Sequence, residues 1–384
     1  MRFELTEEQQ MVKHTVREFA EERLKPTVLQ RDRERRVALA EMKEFGELGF
    51  YACTIPEEYG GSPLDPIAEC IIIEELSRVD SAFAIFFSVN VGIGTLPVLK
   101  WGTEEQKKNY LPKIAAGEIY TAYALTEPGA GSDAASIQTA AVKKNRAYHL
   151  DGQKIFCTNG EIAGLFIVMA KTDPLAGARG ISAFLVEPGF PGFSLGKRER
   201  KMGMNSSDTM ELFFQDMQVP GVNLLGEEGK GFRIALDALD DSRIGTAAQA
   251  VGIAQGALEQ TLKFVSEREQ FGRKVGSFQL VYNTVAEMRT RLEASRLLTY
   301  YAAWLRGEGR RHTAEASMAK YFASENARWI CDRAVQLHGG YGYTADFPVE
   351  RFFREVKVTE IYEGTNEIQK LVIGRATLPP ETFG

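Results

Sequence analysis

The chain has 384 residues, 44% hydrophobic and 26% charged, a composition that suits a globular protein of two or three domains and excludes a disordered or fibrous one. A formal net charge of -6 argues against a nucleic-acid-binding surface. Four widely spaced cysteines, Cys53, Cys70, Cys157 and Cys331, form neither a C-x-x-C pair nor a Cys/His cluster, so no metal site and no disulfide framework is expected.

The first ten residues are acidic and amphipathic, with neither the apolar centre of a secretory signal nor the Arg-rich, acid-poor character of a transit peptide, which makes the cytoplasm the expected location. Thr6-Glu7-Glu8-Gln9 is a capping-box pattern, and Val12, Val16, Phe19 and Ala20 repeat at helical spacing until Pro26. Helical patterns follow over Leu39 to Leu48, Pro66 to Val79, Ala82 to Leu99 and Glu104 to Ala116, so residues 1–118 read as a helical domain. Ser81 to Leu99 carries no charge over nearly a bilayer span, but Ser88, Asn90, Gly92, Gly94, Thr95 and Pro97 interrupt it. A buried wall inside the protein is expected there, with no membrane contact.

From Ile119 the pattern changes to short β-rich runs at Tyr120 to Leu125, Tyr148 to Phe156, Leu165 to Lys171, Ile181 to Glu187 and Met210 to Val219. Asp151-Gly152 predicts a hairpin turn within the second run, and the basic stretch Lys197 to Lys201 predicts a solvated loop. Residues 119–229 therefore read as a small β domain. Helical periodicity returns for residues 230–384, in long stretches from Arg233 to Glu267, Phe278 to Arg306 and Thr313 to His338. The small side chains of Ala247, Ala248, Ala250, Gly252, Ala254, Gly256 and Ala257 permit one of these helices a close approach to a neighbour. Helices, then strands, then helices make an α+β layout.

Two segments could carry chemistry. Thr126-Glu127-Pro128-Gly129-Ala130-Gly131-Ser132-Asp133 follows a strand and can present bare N–H groups to an anion, although it is neither G-x-G-x-x-G nor a P-loop. Tyr362-Glu363-Gly364-Thr365-Asn366-Glu367 sets a carboxylate beside a glycine, where a base can be poised and backbone can approach a ligand. By itself it reads equally as a helix start with Thr365 capping Ile368.

Taken with Ile55 to Gly61, Thr158-Asn159-Gly160, Arg268-Glu269-Gln270-Phe271-Gly272 and Gln336-Leu337-His338-Gly339-Gly340, in this order, the chain resembles the FAD-dependent acyl-CoA dehydrogenases. The short-chain, butyryl-type branch is nearest, through Asp241 to Gly245 and Ile361 to Ile373. The resemblance implies an N-terminal helical domain, a β-barrel-like middle domain and a C-terminal four-helix bundle. It also implies FAD, with Tyr123, Leu125 and Thr126 lining the flavin ring, Gly131 and Ser132 at the pyrophosphate, and Phe156 and Thr158 on the ring's other side. Many relatives have tryptophan at the position of Phe156. A neighbouring copy would complete the site with Arg268, Phe271, Phe278, Gln279, Gln336, Gly339 and Gly340, which implies a homotetramer. Thr365 and Glu367 join the cofactor contacts.

By the same resemblance Glu363 is the base for the α-proton of an acyl-CoA thioester, and its backbone N–H a donor to the thioester carbonyl. Ser132, Asp240, Arg243, Tyr362 and Gly364 would contact the substrate, and electrons would pass to an electron-transfer flavoprotein. Family members that carry the base elsewhere place it immediately before the arginine matching Arg243, where this chain has Ser242. Phe86 and Phe87 are bulky enough to shorten a tail pocket over Phe83 to Leu96. Ala84 stands where the glutaryl-CoA branch has an arginine, which disfavours a dicarboxylic substrate. An oxidase passing electrons to oxygen and a non-catalytic or nucleic-acid-binding chain on the same fold are the alternatives. His338 is expected to close a helix end, and His14, His149 and His312 to be structural.

Overall fold

The structure, a computed structural model, describes residues 4–383; the first three residues of the N-terminal stretch read above lie outside the described residues. The capping box opens α1 (Glu7–Phe19): the Thr6 hydroxyl accepts from the Gln9 amide at 3.2 Å, and the Gln9 side chain accepts from the Thr6 amide at 3.0 Å. Past a π-turn and Pro26 come α2 (Val28–Glu34), α3 (Leu39–Glu47), α4 (Pro66–Ser77), α5 (Ser81–Ser88), α6 (Leu96–Trp101) and α7 (Glu104–Ala115).

The helix expected over Ala82 to Leu99 is in fact two, separated by a π-turn at Val89–Ile93. Asn90 accounts for the break, because its Oδ1 accepts from the Thr121 amide at 2.8 Å and its carbonyl accepts from the Thr121 hydroxyl at 3.0 Å. Gly94 lets the turn close on that strand, since a Cβ there would lie 2.0 Å from Thr121 Oγ1. The uncharged stretch is an interior wall, 94% buried over its most apolar window.

The middle segment contains β1 (Tyr120–Ala124), β2 (Ala140–Lys144), β3 (Ala147–Thr158), β4 (Ala163–Lys171), β5 (Ile181–Val186), β6 (Phe193–Arg198), β7 (Thr209–Pro220) and β8 (Leu224–Leu225). They form one mixed sheet in the order β6-β7-β3-β2-β4-β5-β8, with β1 parallel to β4. A single pair, Ala140 with Lys171, joins β2 to β4, and the sheet curls there so that Phe166 and Val168 of β4 share a core with Leu150 of β3 and Leu212 of β7. The alternate residues of β4, Leu165, Ile167 and Met169, pack with Leu111 of α7 and Ile181 of β5. Both faces of β4 are buried, which is why it reads as an unbroken apolar run.

Two expectations are corrected here. Asp151-Gly152 is not a hairpin turn, because β3 runs straight through it with a register shift against β7 between Leu150 and Gly152. The Asp151 carboxylate takes the Asp216 amide at 2.8 Å across this bulge. The β2–β3 turn lies earlier, where Asn145 adopts φ +56°. The basic stretch from Lys197 also starts as sheet, with Arg198 paired to Met210.

The C-terminal segment holds α8 (Gly231–Glu267), a ribbon of β9 (Glu269–Gln270) and β10 (Arg273–Lys274), then α9 (Gln279–Gly307), α10 (Thr313–His338), α11 (Val349–Val356) and α12 (Asn366–Thr377). The three long helices pack on one another and α12 packs on α10, giving the four-helix arrangement. The small-residue stripe of α8 admits α4 almost backbone to backbone: a Cβ on Gly252 would lie 2.3 Å from the Glu74 carbonyl, and one on Gly256 2.3 Å from that of Arg78. One hydrophobic core therefore runs through both helical segments.

Candidate functional site

The Tyr362–Thr365 turn joins a 3-10 turn (Lys357–Glu360) to α12. Thr365 caps α12 as expected, its hydroxyl accepting from the Ile368 amide at 3.4 Å. Glu363 has φ +54° and Gly364 φ +88°. Glycine takes that conformation freely, but for a glutamate it costs roughly 1–2 kcal/mol and needs surroundings that enforce it. Both carbonyls are gripped. That of Glu363 accepts from Arg243 Nε at 3.4 Å and Gln369 Nε2 at 3.1 Å, and that of Gly364 from Lys320 Nζ at 2.9 Å and Gln369 Nε2 at 2.8 Å. Tyr362 is tied through its hydroxyl to the buried side chain of Gln249.

The Glu363 carboxylate is turned inward, and its Oε2 is buried without a hydrogen-bond partner. Burial pushes its pKa up, while the Ser242 hydroxyl, Arg243 and Lys320 draw it back toward the ionised form. Arg243 on α8 is itself buried and pairs with Asp240 at 2.6 Å, and Thr313 donates to the other Asp240 oxygen at 2.6 Å. Across from the turn, on β1, the Tyr123 hydroxyl is also buried without a partner; burial raises its pKa and the Glu363 charge raises it further. The C-terminal turn and the β domain thus each bury an unpartnered polar atom, and the two are near enough for the Glu363 charge to act on the Tyr123 hydroxyl.

The β domain adds the Thr126–Asp133 loop and the end of β3 to the candidate site. The Thr126 carbonyl accepts from the Ile155 amide at 2.9 Å, and Lys154 Nζ donates to the Leu125 carbonyl at 2.9 Å and to Glu127 at 2.7 Å. Glu127 also accepts from the Gln138 and Thr139 amides at 2.5 and 3.0 Å, so both ends of the loop are pinned and its tip stays bare. Gly131 and Ser132 are exposed, and open space surrounds the Cβ positions of Gly129 and Gly131. Phe156 has φ +57° within a second β3–β7 register shift, between Lys154 and Cys157, and this bulge leaves it 59% exposed. Thr158 follows, paired with Thr209. Open backbone, an outward aromatic ring and orphaned polar atoms are what a bound flavin would cover.

A second group stands elsewhere. Arg268, Phe271, Gln279, Gln336, Gly339 and Gly340 are exposed and Phe278 is half-buried, at the end of the bundle where α8 stops, α9 begins and α10 stops. There Arg268 lies over the Tyr341 ring at 5.4 Å, and Phe271 meets Phe278 edge-on at 6.0 Å. Arg243 lies in α8 and Arg268 caps its C-terminal end, so a rise of about 1.5 Å per residue puts them roughly 37 Å apart. One chain does not bring the two groups together.

The anticipated tail wall is packed solid: Phe83, Phe86 and Phe87 are fully buried, with Phe86 meeting Tyr120 at 5.0 Å and Tyr51 at 5.8 Å. A separate cavity of about 420 Å³, lined in part by Leu64, Lys100, Asp241, Arg306 and His312, does not include Glu363 or Tyr123. Asp241 anchors it to Lys100 at 2.6 Å and His312 at 3.0 Å, which gives His312 the structural role expected of it. His338 ends α10 as expected, with Nδ1 2.7 Å from the Ala334 carbonyl and its ring stacked on Phe264. No group of three or more His, Cys, Asp or Glu able to hold a metal occurs among the described residues.

Sequence reasoning missed Lys154, Glu127, Lys320 and Gln369. Lys154 gave a signal, a lone lysine inside the β-rich run Tyr148 to Phe156, directly before Ile155-Phe156. Lys320 and Gln369 gave none, since each sits where a helix shows an ordinary polar residue.

Family models described as the N-terminal, middle and C-terminal domains of acyl-CoA dehydrogenase match residues 6–118, 122–217 and 229–378. An acyl-CoA dehydrogenase of Bacillus subtilis (strain 168) is 46% identical over 97% of this chain and 99% of that protein. The solved butyryl-CoA dehydrogenase of Megasphaera elsdenii superposes with a TM-score of 0.97 at 44% identity, covering 99% of this chain and 100% of that one. A solved chain described as "Electron transferring flavoprotein of Acidaminococcus fermentans: Towards a mechanism of flavin-based electron bifurcation" superposes with a TM-score of 0.97 at 50% identity, covering 98% of this chain and 100% of that one.

Proposed function

This chain belongs to the acyl-CoA dehydrogenase family, and on that premise we propose that Glu363 is the base that takes the α-proton of a short acyl-CoA thioester. The enzyme is an FAD-dependent oxidoreductase that dehydrogenates acyl-CoA and passes electrons to an electron-transfer flavoprotein. When bound, FAD supplies the acceptor for the β-hydride.

The observation that carries the assignment is the buried, unpartnered Glu363 Oε2 in an enforced left-handed turn, its charge acting on the buried Tyr123 hydroxyl. A dry carboxylate with a raised pKa is a stronger base than one in water, and Arg243 and Lys320 keep it ionisable. Ser242 leaves the alternative base position on α8 without a carboxylate. Asp240 and Arg243 steady the edge of the site beside Gly364, where the substrate's thioester end would enter. Thr126, Gly131, Ser132, Phe156 and Thr158 would hold the flavin from the β side, with Tyr123 and Leu125 beneath it. Residues 1–118, 119–229 and 230–384 are its three domains.

The acyl group is short, because the filled Phe83–Phe86–Phe87 wall and the polar Gln249 behind Tyr362 leave a long chain no apolar channel. The 37 Å scale separating Arg268 from the site is best met by a second copy whose Arg268, Phe271, Phe278, Gln279 and Gln336–Gly340 reach over the first, giving a homotetramer. Four buried, unpaired cysteines fit the cytoplasm.

Anaerobic titration of the yellow protein with acyl-CoA thioesters of two to eight carbons tests this reading. Stoichiometric bleaching by the butyryl or a branched short thioester, and none by the octanoyl one, is expected. Preference for the octanoyl thioester would overturn the short-chain assignment, and rapid peroxide formation in air would favour an oxidase.

A further inference from the structure

Lys320, in the second turn of α10, is a fully buried cation to which the chemistry above gives only a supporting mention. Its Nζ donates to the Gly364 carbonyl and to Asn366 Oδ1, each at 2.9 Å, and Asn366 is in turn bonded to Ser324 at 3.0 Å. The lysine therefore ties the Glu363–Gly364 turn and the first residue of α12 to one face of α10. A neutral side chain could make those hydrogen bonds, and Gln369 already makes one to the same carbonyl at 2.8 Å. Burying an ammonium for this purpose costs several kcal/mol in desolvation, so the charge itself needs a use.

The other nearby cation, Arg243, is matched by Asp240 at 2.6 Å. None of the ion pairs of 4.0 Å or less among the described residues includes Lys320. Its field is thus directed at what surrounds it: Glu363 on the turn, Arg243 on α8, Glu360 on the preceding 3-10 turn and Glu367 on α12. We propose that Lys320 is the positioning residue of the Glu363 base, clamping the left-handed turn to α10 and setting a positive charge beside that turn. Burial lowers the lysine's pKa to about 7, and the Glu363 charge opposes that fall; reciprocally, Lys320 lowers Glu363 against the effect of burial. The proposal rests on the reading of Glu363 as the base.

The test compares wild-type holoenzyme with Lys320→Met, Lys320→Gln, Lys320→Arg and Glu363→Gln. Flavin bleaching by butyryl-CoA is followed anaerobically across pH, and crotonyl-CoA affinity is measured by calorimetry. Removing the charge should displace the acid limb of the bleaching rate upward by about one pH unit, roughly tenfold in rate below the limb, in both the Met and Gln variants. Crotonyl-CoA affinity should hold, and Lys320→Arg should keep the limb in place. Should the Met variant not fold, the Gln variant, which keeps hydrogen-bond donors, carries the same comparison. A limb unmoved by loss of the charge overturns the proposal even if the rate falls, because that marks a purely structural tie. Bleaching at the wild-type rate in Glu363→Gln would instead overturn the base assignment, whatever the lysine variants do.

Discussion

Lys154 Nζ lies 2.7 Å from Glu127 Oε1, with the lysine sealed from solvent and the carboxylate nearly so, at the root of the loop that would cradle the flavin. Burial pushes Lys154 down to about 8 and would raise Glu127, but the lysine and the amides of Gln138 and Thr139 hold the carboxylate low. Removing one partner strands the other in the interior. Glu127→Gln or Lys154→Met is therefore expected to cost about 3–5 kcal/mol, and the double variant much less than the sum. Urea unfolding of the four proteins checks this, and strict additivity would show that the pair is not coupled.

Phe156 pairs an exposed ring with φ +57°, a combination that lends the folded chain little. Phe156→Gly should leave the apoprotein as stable or up to about 1 kcal/mol more so, since glycine adopts this conformation without strain. The same change should release FAD several-fold faster. Thermal unfolding of the apoprotein and flavin fluorescence during dilution separate the two effects; a destabilised apoprotein with normal flavin retention would contradict the assigned role.

Asp241 is buried, which alone would raise its pKa, but His312, Arg306 and Lys100 hold it well below the usual carboxylate range. The Asp241 hydrogen bond raises His312. A depressed carboxylate contributes stability that is present above its unfolded value of about 3.9 and lost as pH falls through its folded value. A raised histidine contributes stability that is fully present below about 6.5 and lost as pH rises through its folded value. The cluster is therefore strongest between about pH 4 and 6.5. Asp241→Asn should cost about 3 kcal/mol at pH 5.5 and flatten this profile in denaturant titrations.

Because burial raises the Glu363 pKa, bleaching by substrate should show an acid limb above the ordinary glutamate value of 4.5, with rate rising as pH rises and the carboxylate forms. Stopped-flow rates from pH 5 to 9 measure it. A rate that is flat through this range, or that falls as pH rises past the limb, would mean that Glu363 is not the group being titrated.

The helix–sheet–helix order was legible because the long helices keep a helical hydrophobic period, as in Thr313 to His338, whereas the strands are short apolar runs such as β4. The Asp151-Gly152 signal misled because a bulge and a hairpin turn call for the same residues, and only the Asp216 amide across the sheet distinguishes them. The break in the uncharged wall was hidden for a related reason: Asn90 reads as a helix polar residue until Thr121, thirty-one positions on, is known to need its side chain. At the site, Glu363 was legible beside its glycine, but Lys320 and Gln369 were not. Their importance comes from which carbonyl they meet across the fold, and helical periodicity records only that they are polar.

The central claim is that one carboxylate takes the α-proton, and single-turnover reduction of Glu363→Gln by butyryl-CoA tests it most directly. The variant should purify yellow, bind the thioester near wild-type affinity, and bleach about 10²- to 10⁴-fold more slowly. Bleaching within a factor of a few of the wild-type rate would contradict it and send the search for the base elsewhere in the site.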